Sequence, residues 1–270
     1  MKRRKFLKSS LWAAAGLGLV SWTSRGELVL GHGDFRYKVD LNWGALNAQF
    51  YPVKDCHELV QDKQGRIILL TNHTRNNVLI YNRDGRLLDA WGTDFPGAHG
   101  LTLKDEGGEE FLYITDTERH EVIKTTLDGQ TVWTWGYPKE SDVYDSPSQY
   151  IPTETAIADN GDVYIADGYG SQYIMHYNQK GELLNVFGGK GEGEDQFLNA
   201  HGICIDQRSG APELLITARQ QNQLKRFDLD GTLKGIIDLP GAYICRPVVH
   251  GANVYLATIW SGDGSSGTGF

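Results

Sequence analysis

Between Leu28 and the C-terminal region the chain alternates short apolar runs with polar, glycine-bearing turns. Runs of four or five residues that end in a polar side chain stand at Ile67 to Thr71 (IILLT), Phe111 to Thr115 (FLYIT), Val163 to Asp167 (VYIAD), Leu214 to Thr217 (LLIT) and Val254 to Thr258 (VYLAT). The first four are each followed by a polar turn, a second apolar run and a turn glycine: Gly85, Gly129, Gly181 or Gly231. Three of these glycines follow aspartate, the pair that hairpins favour because a central residue must adopt positive φ. An aromatic-glycine pair then closes the outer run at Trp91-Gly92, Trp135-Gly136 and Phe187-Gly188. The unit recurs about every 44 to 52 residues, and repeats are weighed before any single motif is trusted.

Each unit predicts four antiparallel strands and no helix. Stacked solenoid turns would share this length, but four hairpin-linked strands per unit argue for radial packing, hence an all-β fold, a β-propeller of four-stranded antiparallel blades. About five blades' worth of sequence is present. Phe35 to Gly44 (FRYKVDLNWG) has the look of an outermost strand, and the fifth unit offers two strands, near Cys245 to Val249 and Val254 to Thr258, before a Gly/Ser-rich end. Two closures follow: Leu28 to Gly44 completes a five-bladed ring, or a six-bladed ring lacks its last strands. The second is favoured here.

Composition removes other classes. With 40% hydrophobic residues, 33 Gly against 8 Pro, and 13 Tyr, 9 Phe and 7 Trp, the chain is neither disordered nor collagenous, and a helical bundle is disfavoured. Formal net charge is −8; without the first 24 residues, 21 bases face 34 acids, a body that repels phosphate backbones and excludes nucleic acid as a partner. Those 24 residues read as an address. MKRRKFLKSS is basic, and the ten apolar residues of LWAAAGLGLV are too few to span a membrane as a helix. Arg3-Arg4-Lys5-Phe6-Leu7-Lys8 resembles the twin-arginine export signature, which implies a periplasmic or secreted protein. No clean small-x-small site lies between Val20 and Glu27, so cleavage and tethering both stay open. Residues 25–270 form the propeller domain in this reading. Cys56, Cys204 and Cys245 show no disulfide spacing and read as buried apolar thiols.

Candidate chemistry sits where each unit's first strand begins: Cys56-His57-Glu58, Ala98-His99-Gly100, Thr153-Glu154 and Ala200-His201-Gly202. First strands line a propeller's axis, so His57, His99 and His201 face one another; imidazoles converging from separate strands suit a divalent metal, zinc first. Bonding to neighbouring backbone is the alternative. Strand alternation turns Cys204 away from His201 and Cys56 away from His57. The turns after the second strands carry Arg75, Tyr169 and Arg219. Tyr169 stands between Gly168 and Gly170, which free its backbone to turn the phenol inward. A phenol near a cation loses its proton more easily and acts as a base, while Arg75 and Arg219 offer charge-assisted bonds to a carboxylate or carbonyl. Gly188-Gly189-Lys190-Gly191-Glu192-Gly193 imitates a dinucleotide loop but opens no helix, and Glu192 to Asp195 reads as a solvated acidic turn rather than a calcium loop.

The repeat resembles NHL-repeat propellers over nearly all of residues 28–260; a Gly-His…Trp-Asp signature is missing. Ala98-His99-Gly100-Leu101 with Ile114-Thr115-Asp116, Asp167-Gly168-Tyr169, and Gln196-Phe197…Ala200-His201-Gly202 resemble the six-bladed catalytic domain of peptidyl-α-hydroxyglycine α-amidating lyase. The resemblance implies a metal held by His99 and His201, Tyr169 as base, and cleavage of a C–N bond in a small peptide-like substrate. The family's first-blade arginine is not reproduced, Arg75 being displaced; its His-Asp ligand is not found, so that it lies in the missing blade of a truncated ring or else His57 serves; and Gly170 replaces its cysteine. The alternative is a non-catalytic propeller that grips a peptide, glycan or protein partner.

Overall fold

The computed structural model describes residues 28–261. The expected signal segment lies outside the described residues, among which no helix is long and apolar enough to cross a membrane. The chain divides into two compact units at Ala45. In the first, β1 (Leu28–His32) and β2 (Phe35–Val39) form an antiparallel hairpin whose turn holds Gly33 at φ +56°. The strand ends at Val39, ahead of the Trp43-Gly44 pair that the sequence had marked as its end.

The second unit is the propeller. Its first blade comprises β3 (Cys56–Gln61), β4 (Ile67–Thr71), β5 (Val78–Tyr81) and β6 (Leu87–Trp91); its second, β7 (Ala98–Glu106), β8 (Glu109–Asp116), β9 (Glu121–Thr126) and β10 (Thr131–Trp135). The third holds β11 (Glu154–Ile157), β12 (Val163–Ala166), β13 (Tyr173–Tyr177) and β14 (Leu183–Gly188), and the fourth β15 (Ala200–Asp206), β16 (Glu213–Ala218), β17 (Gln223–Asp228) and β18 (Leu233–Asp238). In each blade consecutive strands pair antiparallel. A hairpin of β19 (Ala242–His250) and β20 (Asn253–Ser261) follows, so the described residues hold four complete blades and two strands of a fifth.

Inner strands β3, β7, β11, β15 and β19 neighbour one another in that order. Alternation along the middle strands sends apolar side chains into the seams between blades: Ile68, Leu70 and Ile80 of the first blade pack with Leu101, Ile114 and Ile123 of the second. Tyr164 and Ile174 of the third pack with Ile203, Leu214 and Phe227 of the fourth. Strands β5, β11 and β12 are buried throughout, whereas the outermost strands carry exposed positions, as does the inner strand β3.

The two repeat markers touch across the first three seams. Trp91 of the first blade lies over the turn glycine of the second, where an added Cβ on Gly129 would stand 2.7 Å from the indole. Trp135 covers Gly181 at 3.0 Å in the same sense, and Phe187 covers Gly231 at 2.7 Å. These glycines have φ of +88°, +82° and +90°, so the residue is required both by the hairpin and by the ring pressed on it. The indole Nε1 of Trp91 also donates to Leu127 O at 3.0 Å.

Candidate active site

Three of the expected side chains meet at one hydroxyl. Tyr169 Oη lies 3.2 Å from His99 Nε2 and 3.1 Å from His201 Nε2, and Arg219 Nη2 donates to it at 3.4 Å. His99 opens β7, His201 opens β15, Tyr169 is in the turn after β12, and Arg219 follows β16. The second, third and fourth blades thus contribute one or more groups each.

The far side of each ring fixes its tautomer. His99 Nδ1 lies 2.9 Å from Thr153 O and His201 Nδ1 lies 3.3 Å from Cys245 O. A carbonyl only accepts, so both Nδ1 atoms carry the proton and both Nε2 atoms present lone pairs to the phenol. Burial, with His57 nearby, lowers the pKa of His99 to about 3; burial, with Arg219, holds that of His201 well below the usual range. Both rings are therefore neutral at neutral pH. One phenolic proton cannot serve two lone pairs, so one Nε2 faces oxygen without a hydrogen between them. Two neutral Nε2 atoms with carbonyl-bound Nδ1–H groups are the donor set that a divalent cation takes from histidine.

His57 joins differently. Its ring lies on His99 with centroids 4.0 Å apart and planes at 34°, and burial lowers its pKa also. Among the described residues no three His, Cys, Asp or Glu side chains are grouped to hold a metal ion. Arg75 is exposed and donates to Gln49 O at 3.2 Å; the arginine brought to the phenol is Arg219, 7% exposed.

Glycines 168 and 170 serve a purpose other than the one inferred from sequence. Neither has positive φ. A Cβ on Gly168 would overlap Ala200 O and Thr153 Oγ1, and one on Gly170 would overlap Asp167 Oδ1 and Gln149 O. Absence of bulk lets the Tyr169 turn close onto its neighbours. Asp167 fastens that turn, accepting from Ile151 N and Ser171 N, each at 2.6 Å, and from Tyr144 Oη at 3.0 Å.

An ion cluster that shares the cleft with these residues was not foreseen from the sequence. Arg246 of β19 donates through Nη1 to Glu58 Oε2 of β3 and, at 2.8 Å, to Leu101 O of β7; Nη2 donates to Thr102 Oγ1 at 3.2 Å. Its Nε is 3.5 Å from Glu154 Oε2 of β11. Glu154 therefore belongs to this cluster, and its charge reaches His57. A cleft of about 370 Å³ is lined by Tyr169, His201 and Arg219, by Glu58 and Arg246 of the cluster, and by apolar Val248 and Ile259. All three cysteines are free; Cys56 is exposed and Cys204 and Cys245 half-buried, correcting the expectation of buried thiols.

These sheets and their inner-strand order define a β-propeller, and its relatives include NHL repeat-containing proteins and amidating lyases. The chain is 26% identical over 220 residues to "NHL repeat-containing protein 3" of Homo sapiens, a match covering 78% of this chain and 60% of that protein. It is 34% identical over 111 residues to "Peptidyl-alpha-hydroxyglycine alpha-amidating lyase 1" of Drosophila melanogaster, covering 38% of this chain and 19% of the lyase. Among solved structures, streptogramin B lyase superposes with a TM-score of 0.58 at 14% identity, over 82% of this chain and 70% of that one, a likeness of fold. No family model matches the chain.

Proposed function

We propose that the protein is an exported propeller lyase that cleaves the C–N bond of a carbinolamide such as a peptidyl-α-hydroxyglycine, with a divalent metal, zinc first, at His99 and His201. The observation that carries this is the Tyr169 hydroxyl set between two imidazole Nε2 atoms whose Nδ1–H groups are tied to carbonyls. The partial match to a lyase of that name supports it.

When bound, the ion supplies Lewis-acid charge to substrate oxygens. His99 and His201 would hold it through Nε2 atoms that burial keeps free of the competing proton. Arg219, with no carboxylate partner in the site, pairs with the carboxylate of the substrate. As the base, Tyr169 Oη would take the proton of the carbinol hydroxyl. As the oxygen's electrons form the aldehyde C=O, the C–N bond breaks, its electron pair stays on nitrogen, and nitrogen takes up a proton. The products are a primary amide and an aldehyde acid.

The test is metal analysis of the purified protein, followed by turnover of an α-hydroxyglycine peptide. His99→Ala and His201→Ala each lose most of the metal while staying folded; Tyr169→Phe keeps it and loses roughly two to four decades of turnover. A folded protein that holds no stoichiometric metal before or after zinc is offered, with unchanged stability in both histidine variants, overturns the proposal.

One observation favours a second reading, a binding propeller for a peptide, glycan or protein. The His57 ring lies tilted against that of His99, no three metal-ligating side chains are grouped among the described residues, and a match over 220 residues is to a protein whose name carries no activity. Peptide binding without metal or turnover supports that reading.

A further inference from the structure

We propose that Asn199 is the positioning residue of this site, holding Tyr169 through its side-chain amide and His201 and Arg219 through its main-chain carbonyl. The inference rests on the lyase reading for its consequence in turnover and on geometry alone for its contacts. Asn199 Nδ2 donates to Gly168 O at 2.6 Å, one residue before Tyr169. Only the NH₂ end can donate to a carbonyl, which fixes the amide's orientation. The Asn199 carbonyl accepts from His201 N at 2.9 Å and from Arg219 N at 3.0 Å. One residue therefore touches the chain at or beside three of the four groups that meet at the phenol. A parallel tie, Ala200 N to Gln172 Oε1 at 2.8 Å, joins the same two segments.

Two features set this asparagine apart from a structural one. It has φ +67°, a left-handed conformation that asparagine tolerates better than most residues but glycine adopts freely. It is 9% exposed, and its Oδ1 has no protein partner, so the side chain is satisfied at one end only. The repeat supplies an internal comparison. The residue before Ala98-His99 in the second blade is Gly97, whose carbonyl accepts from Thr117 N at 2.9 Å as that of Asn199 accepts from Arg219 N. Gly97, without the positive φ of Asn199, thus makes the one main-chain bond to the turn after the second strand where no tyrosine turn has to be held. What asparagine adds in the fourth blade is the bond to Gly168.

Asn199→Gly separates the two tasks, since it keeps the carbonyl and tolerates the backbone but removes the amide. Its readouts are the ¹⁵N resonances of the His99 and His201 Nε2 atoms, assigned from His99→Ala and His201→Ala, together with kcat, KM and melting temperature. Both resonances are expected to move toward their positions in Tyr169→Phe, with kcat down roughly 10- to 100-fold, the cost of about an ångström of misplacement, KM little changed and melting no lower. Imidazole resonances that stay at wild-type positions overturn the proposal, as does lost turnover that merely follows lost melting temperature. If the wild-type protein turns over no α-hydroxyglycine peptide, the lyase reading falls and the resonances alone decide the role of Asn199. Should Asn199→Gly fail to fold, Asn199→Asp replaces it, because a carboxylate cannot donate to Gly168 O.

Discussion

Arg246→Met tests whether the buried ion cluster ties the inner strands together. The guanidinium bonds Glu58 of the first blade and Leu101 and Thr102 of the second, and lies beside Glu154 of the third, while its own strand belongs to the fifth. Methionine fills much of the volume but leaves two buried carboxyls without a cation and the Leu101 carbonyl without this donor. Breaking a buried pair by removing one partner costs about 3 to 5 kcal/mol, a large share of the 5 to 15 kcal/mol typical of a folded domain. Burial already raises the Glu58 pKa well above the usual carboxylate range, Arg246 opposes that, and Glu154 adds to it. Without Arg246 the folded-state pKa rises further. A carboxyl with a raised folded pKa stabilises the native state fully below its unfolded value and loses that contribution as pH climbs through the folded value. The deficit of the variant is therefore largest at pH 7.5 and shrinks toward pH 4.5. Urea denaturation followed by tryptophan fluorescence measures it, and Glu58→Gln combined with Arg246→Met recovers part of the loss. A cost under about 1 kcal/mol, or a deficit that does not vary with pH, refutes the reasoning.

Gly170→Ala forces a methyl group onto Asp167 Oδ1 and Gln149 O, so turnover falls with Tyr169 displaced, and unchanged kinetics would show that the turn has slack. Burial raises the Asp167 pKa to about 7 against the donors around it, so its stabilising contribution is complete below 3.8 and fades as pH rises to 7; the melting temperature of wild type should fall across that window more than that of Asp167→Asn, and parallel profiles refute it. Gly129→Ala, at φ +88° with the Trp91 ring 2.7 Å from the new atom, should cost about 1 to 3 kcal/mol by urea denaturation, and a neutral result would mean that the seam yields. Lysine at both Arg3 and Arg4 keeps the charge but removes the guanidinium pair, so precursor accumulates inside the cell; undiminished export rejects the twin-arginine reading.

Local signals carried most of the fold. The five polar-ended runs became β4, β8, β12, β16 and β20 within a few residues, and Gly85, Gly129, Gly181 and Gly231 all adopted positive φ, because alternation and hairpin turns are written in adjacent residues. The repeat also placed His99, His201 and Tyr169 together, since equivalent positions of successive blades face the axis. It could not choose between Arg75 and Arg219, because reach depends on how each turn lies over its blade. Arg246 was invisible for a different reason: its bond to Glu58 spans 188 positions and joins units with no shared motif at those places. Asn199 was hidden because its function lies in one amide and one carbonyl, neither of which a residue type declares.

The overlap of Trp91, Trp135 and Phe187 with Gly129, Gly181 and Gly231 gives the assembly a direction. The first three blades each carry a plug and the second to fourth each carry the socket that receives it, so half of the information that seats these modules belongs to their predecessors. A transplanted blade from another protein would need both halves to match, and a blade ending in a small aliphatic residue would unseat the module after it while leaving the one before it intact. Duplication of a whole period preserves the match wherever the cut falls, which is a physical reason for such chains to grow by entire repeats rather than by single strands.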